Sequence, residues 1–261
     1  MKQIIIVNLF LLIVFFSLLI NSFKIANILK LFDYPSKRKN QKQRIPLVGG
    51  ILIWFFFTTF LLLNYFSNNI NITFLKALIF SSFFFIIGFI DDKYKIGSST
   101  RLLILFFGSL VLYFTLNITQ IGFINLSYIG IVNIGTLSLF FSLLCILLFQ
   151  NSMNMIDGLN GLSTTIFIGI ILFIIFKNDS LNNEPIYFLL FLLIIFLVFN
   201  LKNKIFLGDS GIYFVSSFLS LILIEISQLQ KNIQSDTIFL VMILPGVDMF
   251  RLFLIRIYNK K

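Results

Sequence analysis

Apolar residues run along this chain in long blocks, each closed by a short cluster of polar or turn-forming residues. The blocks cover roughly 3–23, 47–66, 73–90, 101–118, 136–150, 161–176, 185–200, 211–229 and 237–257. Most approach or exceed the length a helix needs to cross a hydrocarbon core of ~30 Å. The pattern predicts an all-α, polytopic transmembrane bundle of about nine helices. No soluble segment, long linker or low-complexity tail interrupts it, so residues 1–261 read as one integral-membrane domain. The first block lacks a small-residue cleavage site and more blocks follow, which makes it a retained helix rather than a signal peptide.

Composition strengthens this reading. Hydrophobic residues make up 59% of the chain and charged residues 11%, so lipid must be the solvent for most of it. The excess of Phe (36 residues) over Ala (Ala26 and Ala77) reads as compositional drift of an AT-rich genome and carries no functional weight. The absence of histidine excludes a Ser-His-Asp triad and histidine-ligated zinc within this sequence. The lone Cys145 offers neither a disulfide framework nor a thiolate metal site. Any metal must be held by oxygen, which suits Mg²⁺.

Basic residues set the expected orientation. With the N-terminus outside, only Lys2, Lys76, Lys177 and Lys231 of the 20 Lys and Arg residues fall on the outer face. The net charge of +10 is then met by anionic membrane lipid, and nothing further points to nucleic acid. The outer loops are short and plain, with a small hairpin expected between Gly122 and Gly135.

The acids gather on the predicted inner face: Asp33, Asp91, Asp92, Asp157 and Asp209 in loops or at helix ends, and Asp248 near the end of the last helix. A carboxylate at the membrane boundary is costly unless paired, so each is a candidate site residue. Asp179, Glu184, Glu225 and Asp236 read as solvated or interfacial acids of the outer half. Asp91 and Asp92 end a helix whose dipole already disfavours them, which calls for a nearby cation; Lys93 and Lys95 are the simpler neutralising alternative.

Polar residues at 151, 154, 157 and 160 keep a spacing of three, which would align them on one face of a helical or 3₁₀ turn. Such a face would suit a nucleotide base, a sugar or Mg²⁺; an Asp-Gly turn with a capping Asn is the plainer alternative. In Phe206-Leu-Gly-Asp209-Ser-Gly211, Asp209 or Ser210 could cap a helix, or Asp209 could bind a metal while the glycines admit phosphate to the backbone. The loop 33–50 combines Lys37-Arg38-Lys39 with Pro35, Pro46 and Gly49-Gly50: a shaped basic loop fit for a phosphate head group, or simple positive-inside charge.

Taken in order, these segments resemble the polyprenyl-phosphate N-acetylhexosamine-1-phosphate transferases, with the WecA-type branch ahead of the MraY type. Residues 33–50 are similar to the family's D-x-P-x-x-R-K…P-L-V-G-G loop, and Asp91-Asp92 to its DD motif. Residues 151–162 are similar to N-x-x-N-x-x-D-G-x-x-G-L, 206–211 to F-x-G-D-x-G, and Pro245–Arg256 to the P-x-x-D-x-x-R stretch of the family's penultimate cytoplasmic helix. The resemblance implies Mg²⁺ on Asp209 and Asn154, and a nucleotide at Phe206, Gly158 and Asn160. It implies phosphate contacts from Arg101 and Arg38, and catalytic roles for Asp91, Asp92 and Asp157. Gln41 stands where that branch carries His, and Asn160 where many bacterial members carry Asp. A histidine-rich loop and further helices would be expected after Arg256, so the chain is expected to be C-terminally truncated.

The implied reaction transfers a sugar 1-phosphate, N-acetylglucosamine 1-phosphate by default, from a UDP-sugar to polyprenyl phosphate, releasing UMP. It would initiate cell-envelope polysaccharide synthesis on the cytoplasmic face of a bacterial inner membrane, and it allows for a homodimer. Direct attack by the lipid phosphate is favoured, with an aspartyl-phosphate route as competitor. An inactive truncated relative and a membrane transporter are the alternatives; a transporter would place acids at mid-membrane in several spans rather than at one face.

Overall fold

The computed structural model describes residues 2–35, 43–67, 70–157, 160–177, 183–229 and 234–258. The Arg38, Gln41 and Gly158 positions lie outside these residues. The element order is α1 (Lys2–Ile20), α2 (Ser22–Leu29), β1 (Phe32–Asp33), β2 (Ile45–Pro46), α3 (Gly49–Phe66), α4 (Ile72–Tyr94) and α5 (Ser98–Leu116). A hairpin of β3 (Phe123–Leu126) and β4 (Gly130–Asn133) follows, then α6 (Ser138–Ile156), α7 (Leu162–Lys177), α8 (Glu184–Leu201), α9 (Gly208–Leu229), α10 (Ser235–Val241) and α11 (Ile243–Tyr258).

Among the described residues, six helices are long and apolar enough to cross a membrane, or seven if α1 and α2, bent by 71°, make one span. α7, at 16 residues, is apolar but shorter. The count is therefore smaller than the nine blocks suggest, and two blocks are subdivided. The first bends at Asn21, and the last breaks at Met242 into α10 and α11. Pro245 explains the second break: it fits the first turn of a helix but lacks the N–H needed farther in. The expected hairpin is present, with Phe123 paired to Asn133 and Leu126 to Gly130.

α9 is the axis of the bundle, buried on nearly every side and packed most extensively on α4, with α3, α6 and α7 around it. The serines along its middle do not compromise that burial. Ser216 donates to the Ile212 carbonyl (2.6 Å) and Ser220 to the Ser216 carbonyl (2.7 Å), so these small polar side chains let neighbours approach while their own hydroxyls stay bonded. Aromatic contacts close the interfaces, including Phe57 edge-on to Phe218 and Phe60 stacked on Phe188. α5 is a peripheral helix: Leu103, Phe107, Val111 and Phe114 form an exposed apolar stripe at helical spacing, as a lipid-facing helix should.

The segment 205–207 runs beside the start of α3. Phe206 N–H donates to the Pro46 carbonyl (2.8 Å), and the Phe206 and Leu207 carbonyls accept the first-turn N–H groups of Gly49 and Gly50 (3.0 and 2.9 Å). Two orphan donors of α3 are thereby satisfied. Ile205 and Leu207 point inward and Phe206 is half-buried, the alternation of an extended segment. This seam brings residues 46–50 and the start of α9 to one end of the bundle.

Candidate active site

Three carboxylates meet where α4 ends and α9 begins, and each has a different job. Asp91 is buried. Its Oδ1 accepts the Ile96 N–H (2.6 Å) and its Oδ2 accepts Arg101, a residue of the first turns of α5. Its backbone carbonyl accepts the Lys95 N–H (2.9 Å), with Lys95 in the left-handed conformation that stops α4. One residue thus terminates α4, shapes the turn into α5 and aims Arg101.

Asp92 faces α9. Its Oδ1 accepts the Asp209 N–H (2.8 Å) and its Oδ2 the Ser210 N–H (3.0 Å). The cap at the start of α9 therefore comes from another helix. This corrects the expectation that Asp209 or Ser210 caps it, and it uses the attraction of a helix N-terminus for negative charge. The fit depends on glycine at two places. Gly208 has φ +73°, and a Cβ there would lie 2.7 Å from the Asp92 carboxylate. A Cβ on Gly88 would lie 2.6 Å from both the Asp209 carbonyl oxygen and the Ser210 Cα.

Asp209 is the accessible member, its side chain 33% exposed against 5% for Asp91. Arg101 reaches it at 3.7 Å while holding Asp91. Lys93 and Lys95, the alternative neutralising partners, form no ion pair with either aspartate among the described residues; Lys93 lies 5.7 Å from the ring centre of its neighbour Tyr94.

Tyr213 joins the remaining pieces. It is buried, its hydroxyl accepts Asn154 Nδ2 from α6 (3.1 Å), and the Arg101 guanidinium stands 5.6 Å from its ring centre. Sequence reading missed this residue. The only signal was position: Tyr213 lies four residues after Asp209, one turn up the same face of α9.

The polar residues of 151–160 do not share one face, contrary to the expectation from their spacing. α6 continues through Ile156, so Asn154 is a helix residue turned to α9. Asp157 sits past the helix end and accepts the Ser163 hydroxyl of α7. Asn160 is exposed and bonds Asn203 instead. Asn200, also unanticipated, fixes this turn: its Oδ1 takes the Gly161 N–H (2.7 Å) and its Nδ2 donates to the Ile205 carbonyl (2.8 Å). Burial pushes the Asp157 carboxyl up to about 7; the Ser163 hydroxyl opposes that, and the charges of Asp92 and Asp33 add to it.

Glu225 is half-buried in α9 and accepts the Thr119 hydroxyl, far along the helix from the carboxylate cluster.

Among the described residues, no group of three or more His, Cys, Asp or Glu forms a metal cage. The donor set instead suits an ion that keeps its waters and takes substrate oxygens. Asp91 and Asp92 have their oxygens engaged, which leaves the Asp209 carboxylate and the amide oxygen of Asn154, whose nitrogen is already committed to Tyr213. One carboxylate, an amide oxygen and substrate phosphates is a Mg²⁺ pattern.

Residues 74–227, more than half of the chain, match the family described as Glycosyl transferase family 4. The chain belongs to that family. Among its relatives is the phospho-N-acetylmuramoyl-pentapeptide-transferase of Fervidobacterium nodosum, 29% identical over 188 residues, covering 69% of this chain and 59% of the relative. The enzyme of that name from Thermotoga petrophila is 31% identical over 182 residues, 65% of this chain and 57% of the relative. The undecaprenyl-phosphate alpha-N-acetylglucosaminyl 1-phosphate transferase of Escherichia coli O157:H7 is 26% identical over 247 residues, 87% and 64%. The chain thus spans little more than half the length of these relatives. With its apolar helices, the kinship makes it a multi-pass membrane protein.

Proposed function

We propose that this chain carries the catalytic face of an enzyme that transfers a sugar 1-phosphate from a UDP-sugar to a polyprenyl phosphate, releasing UMP. The observation that carries the reading is the convergence of Asp91, Asp92, Asp209 and Arg101 from three helices, with Asn154 tied in through Tyr213. The N-acetylglucosaminyl donor, an undecaprenyl acceptor and a role in starting envelope polysaccharide belong to the same proposal. So do the N-terminus-out orientation and a site on the cytoplasmic face of the inner membrane, which rest on the distribution of Lys and Arg.

The acceptor phosphate is mostly dianionic at neutral pH, since its second pKa is near ~6, so it needs little help to become a nucleophile. The obstacle is bringing two anions together. Arg101 would meet the transferred phosphate: Asp91 fixes its guanidinium, which is only 16% exposed and so loses little to solvent screening. Asp209 and Asn154 would hold Mg²⁺, which when bound neutralises pyrophosphate charge and improves the leaving group. Phe206 lies half-buried at the seam between Pro46–Gly49 and α9, where its ring could stack on a uracil. Asp157, whose raised pKa keeps a proton available near neutrality, is the residue suited to proton exchange with the acceptor.

The test is UMP release by the purified chain from a UDP-sugar and polyprenyl phosphate, with and without Mg²⁺. Asp209→Asn should abolish Mg²⁺-dependent release while preserving the fold, because the backbone cap from Asp92 survives. Full activity in that variant would remove the metal assignment. A wild-type chain that folds and binds UDP-sugar without releasing UMP would identify it as an inactive relative.

A further inference from the structure

The β3–β4 hairpin, beside Gln228 at the far end of α9 from Asp209, has one edge covered and one edge bare. On the covered edge, Gln228 accepts the Gly122 N–H (2.9 Å) and donates to the Phe123 carbonyl (3.2 Å), and Ser235 Oγ of α10 accepts the Asn125 N–H (3.0 Å). Phe123 and Asn125 therefore turn their main-chain groups away from β4. The residues opposite them, Asn133 and Ile131, must turn theirs away from β3, because bonded and non-bonded pairs alternate along an antiparallel ladder. The Ile134 N–H, donating to the Gly122 carbonyl (2.9 Å), sets the same alternation. The N–H and C=O groups of Ile131 and Asn133 thus point out of the bare edge, and none has a hydrogen-bond partner among the described residues.

Nothing in β4 guards this edge. Gly130-Ile-Val-Asn133 carries no charge, no proline and no bulge, the usual devices against edge-to-edge pairing. Ile131 and Val132 are 54% and 41% exposed, on opposite faces of the ribbon. Because the β3 edge lies against α9 and α10, the β4 edge points away from the bundle.

We infer that β4 pairs with β4 of a second copy of this chain, joining the two hairpins into one antiparallel sheet across a dimer. A two-fold axis at Val132 sets Ile131 of each copy opposite Asn133 of the other, and each such pair exchanges both of its N–H···O bonds. Val132 meets Val132 between them as the closely spaced, non-bonded pair. Another extended strand could satisfy the same N–H groups. A second copy, however, is held at the same depth and in the same orientation by its own spanning helices, so much of the ordering cost of association is already met. The pairing requires the ribbon to lie flat at the bilayer surface, with the two-fold axis along the membrane normal. Ile124 and Leu126, lining the space among α6, α9 and α10, are the inward face such a ribbon would show. The contact is independent of the proposed chemistry, and its test needs no activity.

The experiment uses the full chain in a Cys145→Ala background, reconstituted in vesicles with one new cysteine at a time, and follows covalent dimer under copper-phenanthroline oxidation. Val132→Cys should crosslink readily, since facing residues of a non-bonded pair stand ~4.5 Å apart at Cα, within reach of a disulfide. Tyr128→Cys, at the fully exposed hairpin tip, should lag by about tenfold or more, although random collision would favour it. Ile131→Cys should lag as well, because the register sets it two residues out of line with its own copy. Ile131→Pro removes an outward N–H that β3 does not use, so it should abolish the Val132 crosslink while the thermal midpoint stays near wild type. If the proline variant unfolds, Ile131→Lys, which keeps the backbone and puts a charge on the edge, decides instead. The inference is overturned if Val132→Cys gives no dimer, or dimer no faster than Tyr128→Cys, or a crosslink that survives the edge substitution in a folded chain.

Discussion

Asp92 holds the backbone of Asp209 through the Asp209 N–H, at 2.8 Å, and that of Ser210 beside it at 3.0 Å. The residue best placed to bind a metal therefore owes its position to a carboxylate that cannot itself be spared for the ion. Asp92→Asn keeps one acceptor oxygen and turns an NH₂ toward a backbone N–H. The expected loss is about 1–3 kcal/mol of stability, the cost of a broken buried hydrogen bond. It should show as a lowered thermal midpoint in detergent together with weaker Mg²⁺ dependence of activity. An Asp92→Asn protein with wild-type stability would mean that the cap is incidental.

Gly88 offers a test that touches no polar group. Gly88→Ala drives a methyl against the Asp209 carbonyl and the Ser210 Cα, both backbone atoms that cannot swing aside. Separation of α4 from α9 should cost activity steeply, by one to two orders of magnitude, while Gly169→Ala, with open space at its Cβ, should leave both activity and thermal midpoint near wild type.

Tyr213→Phe removes the hydroxyl that accepts Asn154 and keeps the ring beside Arg101. With the Asn154 amide free to rotate, the Mg²⁺ concentration giving half-maximal activity should rise by roughly two- to tenfold, matching the ~0.5–1.5 kcal/mol of one hydrogen bond. The rate at saturating Mg²⁺ should change much less. A variant with unaltered Mg²⁺ dependence would separate Tyr213 from the metal site.

Asp157 predicts a pH dependence of stability. Its folded pKa, raised to about 7 from an ordinary 3.8, means that folding favours the protonated form. The stability it contributes is complete below the ordinary value and is lost as pH rises from there through about 7. The thermal midpoint of the wild type should fall across that window, and Asp157→Asn should flatten the profile. A mutant profile as steep as the wild type would assign the slope to another group.

What could be read in advance divides along physical lines. Apolar blocks reveal helices because lipid imposes their length, and the clustering of Asp91, Asp92 and Asp209 at one end of the bundle follows from the cost of charge elsewhere. Breaks inside a block are harder: nothing around Asn21 forbids a continuous helix, and Pro245 marks a break only when it is known to stand in a first turn. The spacing of three in 151–160 misleads because Asp157 lies just beyond α6, after which the side chains turn to different helices. Tyr213 and Asn200 act through tertiary contacts, and an aromatic or amide in an apolar run carries no mark of its partner. The cap from Asp92 joins residues 117 positions apart, a pairing that no local rule anticipates.

Most of the bonds that fix the carboxylate cluster end on main-chain atoms: the N–H groups of Ile96, Asp209 and Ser210, and the carbonyls of Phe206 and Leu207 toward α3. Main-chain atoms are the same in every amino acid. The surrounding bulk can therefore be rewritten from leucine and alanine toward phenylalanine and isoleucine while the anchoring bonds keep their partners. A chain under strong mutational bias can in this way change most of its lipid-facing surface and still keep its carboxylates in register.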